Sequence, residues 1–280
     1  SFEEVLQNKG YDPNNLDFKT LSLSFDSVFY GEKLIQANIE TFSFLEKSGI
    51  QVNSLEGRLK MTDEYFSCSN LSLRTPLSLF TLGVDAPLNW CNDTVPTQID
   101  ASVHLSLKEL AMALGVKDED VDISTWGPII AKVKASGTAD NLRLDEVYAE
   151  LSDSFIFTIQ GAAKKACDEN KRVGQVDLLG DFYDLSRFES WIADDGSIRI
   201  PKQMLLKGIA SINGSKIHTQ LSLNQGKGVV NLEADYDTAN ESYRVSGDID
   251  SLNINHFIPN QPLYNLSLGL QAKGSGIDFM

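Results

Sequence analysis

Ile217-His-Thr-Gln-Leu-Ser-Leu-Asn-Gln-Gly-Lys-Gly-Val-Val-Asn-Leu-Glu-Ala-Asp-Tyr236 is the stretch that decides the fold. Ile217, Thr219, Leu221 and Leu223 alternate with more polar neighbours. The chain then passes through the turn Asn224–Gly228 and the alternation resumes as Val230, Leu232, Ala234 and Tyr236. A period of two sends successive side chains to opposite faces of a strand. Two such runs around a glycine-bearing turn make an antiparallel hairpin with one apolar and one polar face.

The same habit extends outward in both directions. Toward the C-terminus come Tyr243, Val245, Gly247 and Ile249, then Leu266, Leu268, Leu270 and Ala272. Toward the N-terminus come Phe155, Phe157 and Ile159; Val133, Ala135, Gly137 and Ala139; Val103, Leu105 and Leu107; Leu71, Leu73, Leu77 and Leu79; and Leu55, Gly57, Leu59 and Met61. Leu21, Leu23, Phe25 and Phe29 read as one face of the earliest strand. Ile35, Ala37 and Ile39 slip in phase to Phe42 and Phe44, which is what a β-bulge does. Asp194-Asp-Gly196, Asn213-Gly214 and Asp237–Asn240 read as turns. Helix is scarce. Ser106–Leu114 is the best candidate, with Ser106 as cap and Glu109 at the capping-box position. Phe2–Lys9, Trp126–Val133 and Asp184–Ile192 offer shorter helical pieces. The expectation is an all-β chain of roughly sixteen strands with a few short helices. Ser136–Leu144 and Ser246–Ile254 resemble each other as a glycine-bearing strand, a polar turn and a second strand, and Gly180–Leu185 is a looser copy.

The chain has 280 residues, 42% hydrophobic and 22% charged, with a net charge of −15. That acidity argues against nucleic acid, whose phosphates need massed Lys and Arg, and against electrostatic attachment to anionic headgroups. No run of residues is long and apolar enough to span a bilayer as a helix. Three cysteines, Cys68, Cys91 and Cys167, match no zinc spacing. Cys68 and Cys91 are a possible pair in an oxidising compartment.

Catalytic readings find little support. His104, His218 and His256 fall on separate strands and read as solvent-facing. Asp118-Glu-Asp120 is an acidic loop of the kind that is usually just solvated. Gly226-Lys-Gly228 is too short for a phosphate loop, and no Gly-x-Ser-x-Gly elbow occurs. No cofactor, metal site or enzymatic activity is expected. What the pattern does pose is a burial problem. Many half-apolar strands present one long apolar face that two or three short helices cannot cover. A sandwich, a closed barrel, or an open trough covered by a ligand or partner each hides it. Periodicity does not choose among them.

Phe25–Ile39, then Phe44–Gly57, then Leu71–Ser78 resemble the TamB branch of the AsmA-like proteins of Gram-negative bacteria. The resemblance is best over residues 16–85 and extends more loosely, through the strand-glycine-turn pattern, to the end. Its motifs are structural and carry no active-site signature. It implies a long, twisted, mainly antiparallel sheet curled into an open hydrophobic groove. It implies a periplasmic segment of a protein anchored in the inner membrane by a helix outside this chain. It also implies phospholipid transport to the outer membrane by shielding acyl chains, and a partner barrel of the TamA type reached through regions outside this chain. The alternative is a scaffold that assists outer-membrane protein assembly or autotransporter secretion by binding β-strands.

On that reading, residues 1–98 and 133–280 are stretches of one extended groove. A helix-containing insertion lies at 99–132, and the abrupt ends at Ser1 and in Gly276–Met280 are cuts in a longer protein. The expected lipid-binding lining is Leu21, Leu23, Phe25, Phe155, Phe157, Leu221, Leu223, Val230, Leu232, Val245, Ile249, Leu266, Leu268 and Leu270.

Overall fold

The computed structural model describes residues 17–47, 49–92, 94–114, 126–192, 196–262 and 264–276. The alternation folds as hairpins laid side by side. Fifteen strands form one sheet whose order is the order of the chain, β1 to β15. The sheet is open, with β1 and β15 at its ends, so no barrel closes. Within each of its two units, Ser1–Thr138 and Ala139–Met280, strand-to-strand packing of any extent joins sheet neighbours. No second sheet lies face to face on the first among the described residues, so the sandwich does not form either.

The first unit holds β1 (Phe18–Tyr30), β2 (Leu34–Glu46), β3 (Gln51–Thr62), β4 (Tyr65–Arg74), β5 (Leu79–Pro87), β6 (Thr97–Leu105), α1 (Leu107–Leu114) and β7 (Ile129–Thr138). All its pairings are antiparallel. The phase slip after Ile39 is a register shift between Ile39 and Phe42. A second shift, between Phe25 and Ser27 in β1, corrects the sequence reading. It moves Phe29 opposite Gln36, in line with Lys60, on the polar face, and puts Val28 on the apolar face opposite Ala37. Leu77 and Leu79 also leave the apolar row: Leu77 lies in the β4–β5 loop, and Leu79 pairs with Arg74 and His104. β6 and β7 are regular members of the sheet, so it runs on through 97–105 and 129–138, and the turn expected at Trp126–Val133 is strand from Ile129.

Helix α1 forms where Ser106–Leu114 is expected, but Glu109 does not close a capping box. Its carboxylate instead accepts from Thr75 Oγ1 (2.5 Å), the Leu77 amide (2.8 Å) and Ser78 Oγ (2.5 Å). The Ser106 amide donates to Ser78 Oγ at 2.9 Å. The helix is thereby tied to the loop between β4 and β5, with Leu107 and Ala111 buried beneath it. Cys68 is a free, buried thiol on β4, so a Cys68–Cys91 bridge is not formed. Burial, with the Asp85 carboxylate nearby, pushes its pKa up.

The second unit holds β8 (Asn141–Leu151), β9 (Phe155–Lys164), β10 (Val173–Phe182), α2 (Glu189–Ile192), β11 (Met204–Asn213), β12 (Lys216–Gln225), β13 (Gly228–Asp237), β14 (Ser242–Asn253) and β15 (Asn265–Ser275). From β9 to β13 the register has no break. Two-residue loops at Gly214-Ser215 and Gly226-Lys227 close two hairpins, each glycine at φ 58°. That left-handed backbone is what such tight loops require. The piece expected at Asp184–Ile192 is a 3-10 turn, Ser186–Phe188, running into α2. His256 sits in the 3-10 turn Ile254–His256 rather than on a strand. The apparent repeats occupy unlike places. Ser136–Leu144 spans a hairpin turn, whereas Ser246–Ile254 runs along β14 through a register shift and into the 3-10 turn. Phe2–Lys9, Asp118–Asp120 and residues 277–280 lie outside the described residues.

Candidate functional site

Directly opposed residues of an antiparallel pair project to the same face, so the register fixes both faces of each unit. In the second unit one row runs Ala149, Phe157, Gly180, Leu206, Leu223, Val230, Ile249, Leu268. The next row on that face, two residues along each strand, runs Val147, Ile159, Leu178, Gly208, Leu221, Leu232, Gly247, Leu270. A third contains Leu144, Gly161, Val176, Ala210, Thr219, Ala234, Val245 and Ala272. These rows carry no charge. The intervening rows face the other way and contain Lys207, Ser222, Asn231 and Asp248, then Asp177, Gln220, Glu233 and Gln271.

Of the expected lining, Phe155, Phe157, Leu221, Leu223, Val230, Leu232, Val245, Ile249, Leu268 and Leu270 lie on this one apolar face. Leu266, opposite Leu252 beyond a register shift in β14, returns to it. Leu21, Leu23 and Phe25 lie on the apolar face of the first unit, opposite Phe44, Phe42 and Ile39. That face continues as Leu55, Leu73, Phe80 and Val103, and alongside them Leu71, Leu82, Ala101 and Val133. Phe42, Phe44 and Phe18 form an aromatic cluster on it, with ring centroids 5.3 Å (Phe18–Phe44) and 5.6 Å (Phe42–Phe44) apart.

Sequence reasoning passed over the central members of this set: Leu178, Leu206, Leu71, Leu82 and Phe80. Leu71 was legible in its own run, but Leu178 and Leu206 sit in Val176-Asp-Leu-Leu179 and Met204-Leu-Leu206, where adjacent apolar residues hide the alternation.

The glycines of the apolar face explain how large side chains fit there. A Cβ at Gly208 would come within 2.5 Å of Leu221 Cδ2, and one at Gly180 within 2.9 Å of the Phe182 ring. A Cβ at Gly274 would meet the Tyr243 hydroxyl at 2.5 Å. Each glycine is the space into which a neighbouring leucine or aromatic leans.

The face is largely uncovered. Its central side chains, among them Phe157, Leu178, Leu206, Leu221, Leu223 and Val230, are half-buried by their sheet neighbours alone, and those of the end strands are exposed. Leu21 is 57% exposed, Leu23 55%, Leu268 47% and Leu270 45%. In the second unit burial concentrates at one end of the strands, at Leu151, Met204 and Leu252. In the first unit the apolar face carries a groove of about 420 Å³ between the rows of Leu55, Leu73, Phe80, Val103 and of Leu71, Leu82, Ala101, Val133. A trough of about 1040 Å³ in the second unit runs on the opposite, polar face. Its floor is the main chain of the Leu178–Leu270 row, and its walls are the polar rows on either side.

No set of His, Cys, Asp and Glu residues able to hold a metal ion occurs among the described residues. His218 Nδ1 lies 2.8 Å from Asp235 on the polar face, and His256 Nδ1 lies 3.0 Å from the Gln225 side-chain oxygen. Tyr148 donates to Glu150, and this bond first, then burial, pushes its pKa up to about 12. What the site offers is surface: an extended strip of leucine, isoleucine, valine and phenylalanine without an opposing layer among the described residues. Comparison of the chain with protein-family models, with curated proteins and with solved structures gives no match in any of the three.

Proposed function

We propose that this chain is a periplasmic lipid-carrying segment of a protein of the TamB branch of the AsmA-like proteins. It acts by shielding phospholipid acyl chains against its apolar face during transport between inner and outer membranes. The observation that carries this reading is the continuous, charge-free apolar face that no layer among the described residues covers, in each unit. Covering one such side chain is worth about 1.5–3 kcal/mol, so a row of them is a strong binding surface for hydrocarbon and a liability in water. In the second unit the Thr219, Tyr236 and Tyr243 hydroxyls are isolated among aliphatic rows, which suits a binding role better than a catalytic one. The resemblance of residues 16–85 to the TamB branch supplies the compartment, the inner-membrane anchor and a TamA-type partner outside this chain.

A second reading is favoured by one observation. β1 is a thirteen-residue end strand with Val28 61% and Tyr30 83% exposed, an edge suited to pairing with a strand of an outer-membrane protein client.

The test is lipid extracted from protein purified without detergent and identified by mass spectrometry, for the wild type and for Leu268→Asp. The carrier reading expects bound phospholipid in the wild type, its loss in the variant, and nearly unchanged melting, because Leu268 is half exposed. A lipid-free wild type that captures an unfolded barrel strand supports the scaffold instead. A variant that collapses would mean that the apolar row is ordinary core.

A further inference from the structure

We propose that the apolar face of the second unit holds a phospholipid in one direction only. The acyl chains run along the strands with their methyl ends toward Met204 and Leu252, and the glycerophosphate lies beyond Tyr236 and Tyr243. This rests on the carrier reading and adds to it the orientation of the cargo.

The two ends of that face differ. At one end Met204 and Gln225 stand opposite each other, two residues beyond Leu206 and Leu223 and on the same face. Gln225 Oε1 lies 3.0 Å from Nδ1 of His256, in the 3-10 turn that follows β14. That contact brings the turn over the apolar side of β12. A second segment joins it there. Residues 196–203 lead into β11, yet the Arg199 amide donates to the Phe257 carbonyl at 2.7 Å, so the segment reaches across the strand ends as far as β14. The Ile200 amide donates to the Glu189 carboxylate at 2.8 Å, which anchors the segment to α2. Under this roof Met204 and Leu252 are buried, and Pro201 of the segment is buried with them. Polar groups at this end are already engaged: Gln225 with His256, and Asp184 with Lys202 at 2.6 Å.

The other end has no roof among the described residues. Its last row on the apolar face is Ile212, Ile217, Tyr236 and Tyr243, all half-buried, with the two tyrosines directly opposed. Just past them Asn213, Lys216, Asn240 and Glu241 are exposed. A tyrosine has an apolar ring and a wet tip, the character of side chains at the headgroup level of a membrane.

An amphiphile fits this polarity in one sense. A phosphate over the aliphatic rows or under the roof loses its water without gaining a partner, and a lipid laid across the strands puts it over those rows. Beyond the tyrosines the phosphate stays hydrated. Length agrees. Val230 and Tyr236 stand six residues apart on β13, roughly 20 Å at about 3.4 Å per residue. One leaflet of a bilayer's hydrocarbon core is about 15 Å deep, so ordinary acyl chains fit between the roof and the tyrosines.

The test uses the full chain and two photoreactive phosphatidylethanolamines, one with a diazirine at the end of an acyl chain and one with it on the headgroup. Adducts are mapped to residues by peptide mass spectrometry. The chain-end probe should label the Leu206, Leu223 and Val230 end, and the headgroup probe the Ile217, Tyr236 and Tyr243 end. Each should favour its own end by about fivefold, the ratio that a preference of about 1 kcal/mol gives. Both probes labelling both ends alike, or the reverse assignment, would overturn the orientation and leave the carrier reading standing. Labelling of the apolar face by neither probe would overturn both.

Discussion

Ser154 is the most completely enclosed polar side chain described, at 0% exposure, and its hydroxyl has no partner. Its main chain is fully used: the amide donates to Leu151, and the carbonyl accepts from Tyr183 and Asp184. A buried hydroxyl without a partner costs about 1–3 kcal/mol, so Ser154→Ala should raise the melting temperature; a lower one would mean that the hydroxyl is satisfied. Asp184 works in the opposite sense. Lys202 Nζ at 2.6 Å, then the Ser186 hydroxyl and amide, hold its pKa down at about 2 against an ordinary 3.8. A depressed acid stabilises the fold above its unfolded pKa and loses that contribution as pH falls through its folded one. The melting gap between the wild type and Asp184→Asn should thus be full above about pH 4 and shrink toward pH 2. A gap that does not change over that window would assign the effect to packing. Neither residue was legible beforehand. Ser154 and Asp184 sit in connections, and a connection's hydrogen bonds depend on which distant strand ends it bridges. Glu109 teaches the same lesson. The sequence around it spells a capping box, but the Thr75–Ser78 loop offers three donors at once and wins the carboxylate.

At the scale of the strand, alternation was readable wherever the register has no break. The unbroken run β11 to β13 has the faces that Ile217–Tyr236 announces. Phe29 fell on the other face because a single extra residue in β1 inverts everything beyond it, and that slip leaves no mark in the composition of Phe25–Tyr30. Helix α1 could be read from its apolar spacing, and Cys68 could not be read as free from cysteine spacing alone. Glycine placement gives the strand-level prediction. A Cβ at Gly161 would lie 2.4 Å from the Gln175 carbonyl oxygen and 2.9 Å from Val176 Cα, both main chain of β10. At Gly208 the nearest atom is the tip of Leu221, which can rotate away. Gly161→Ala must push β9 from β10 and should cost about 1–3 kcal/mol, whereas Gly208→Ala should cost less. Urea unfolding of the two variants checks the order; equal costs would mean that the two strands separate freely at Gly161.

At the scale of the whole molecule the decisive fact is an absence of layering. The sequence posed the burial problem without choosing among sandwich, barrel and open sheet, because all three use the same alternation. The choice depends on whether distant strands meet face to face, which no local pattern records. The structure answers with one open sheet of fifteen strands and apolar rows left exposed in both units. The account's central claim is that hydrocarbon occupies one face and not the other. Adjacent positions on β12 test it most directly, because Leu223 and Ser222 differ by one residue and face opposite ways. A photoreactive phenylalanine analogue is placed at each in turn, the protein is irradiated with phospholipid vesicles, and adducts are weighed by mass spectrometry. The account predicts phospholipid adducts at 223 and none at 222. Equal adducts at both positions, or none at 223 in a folded protein, would contradict it.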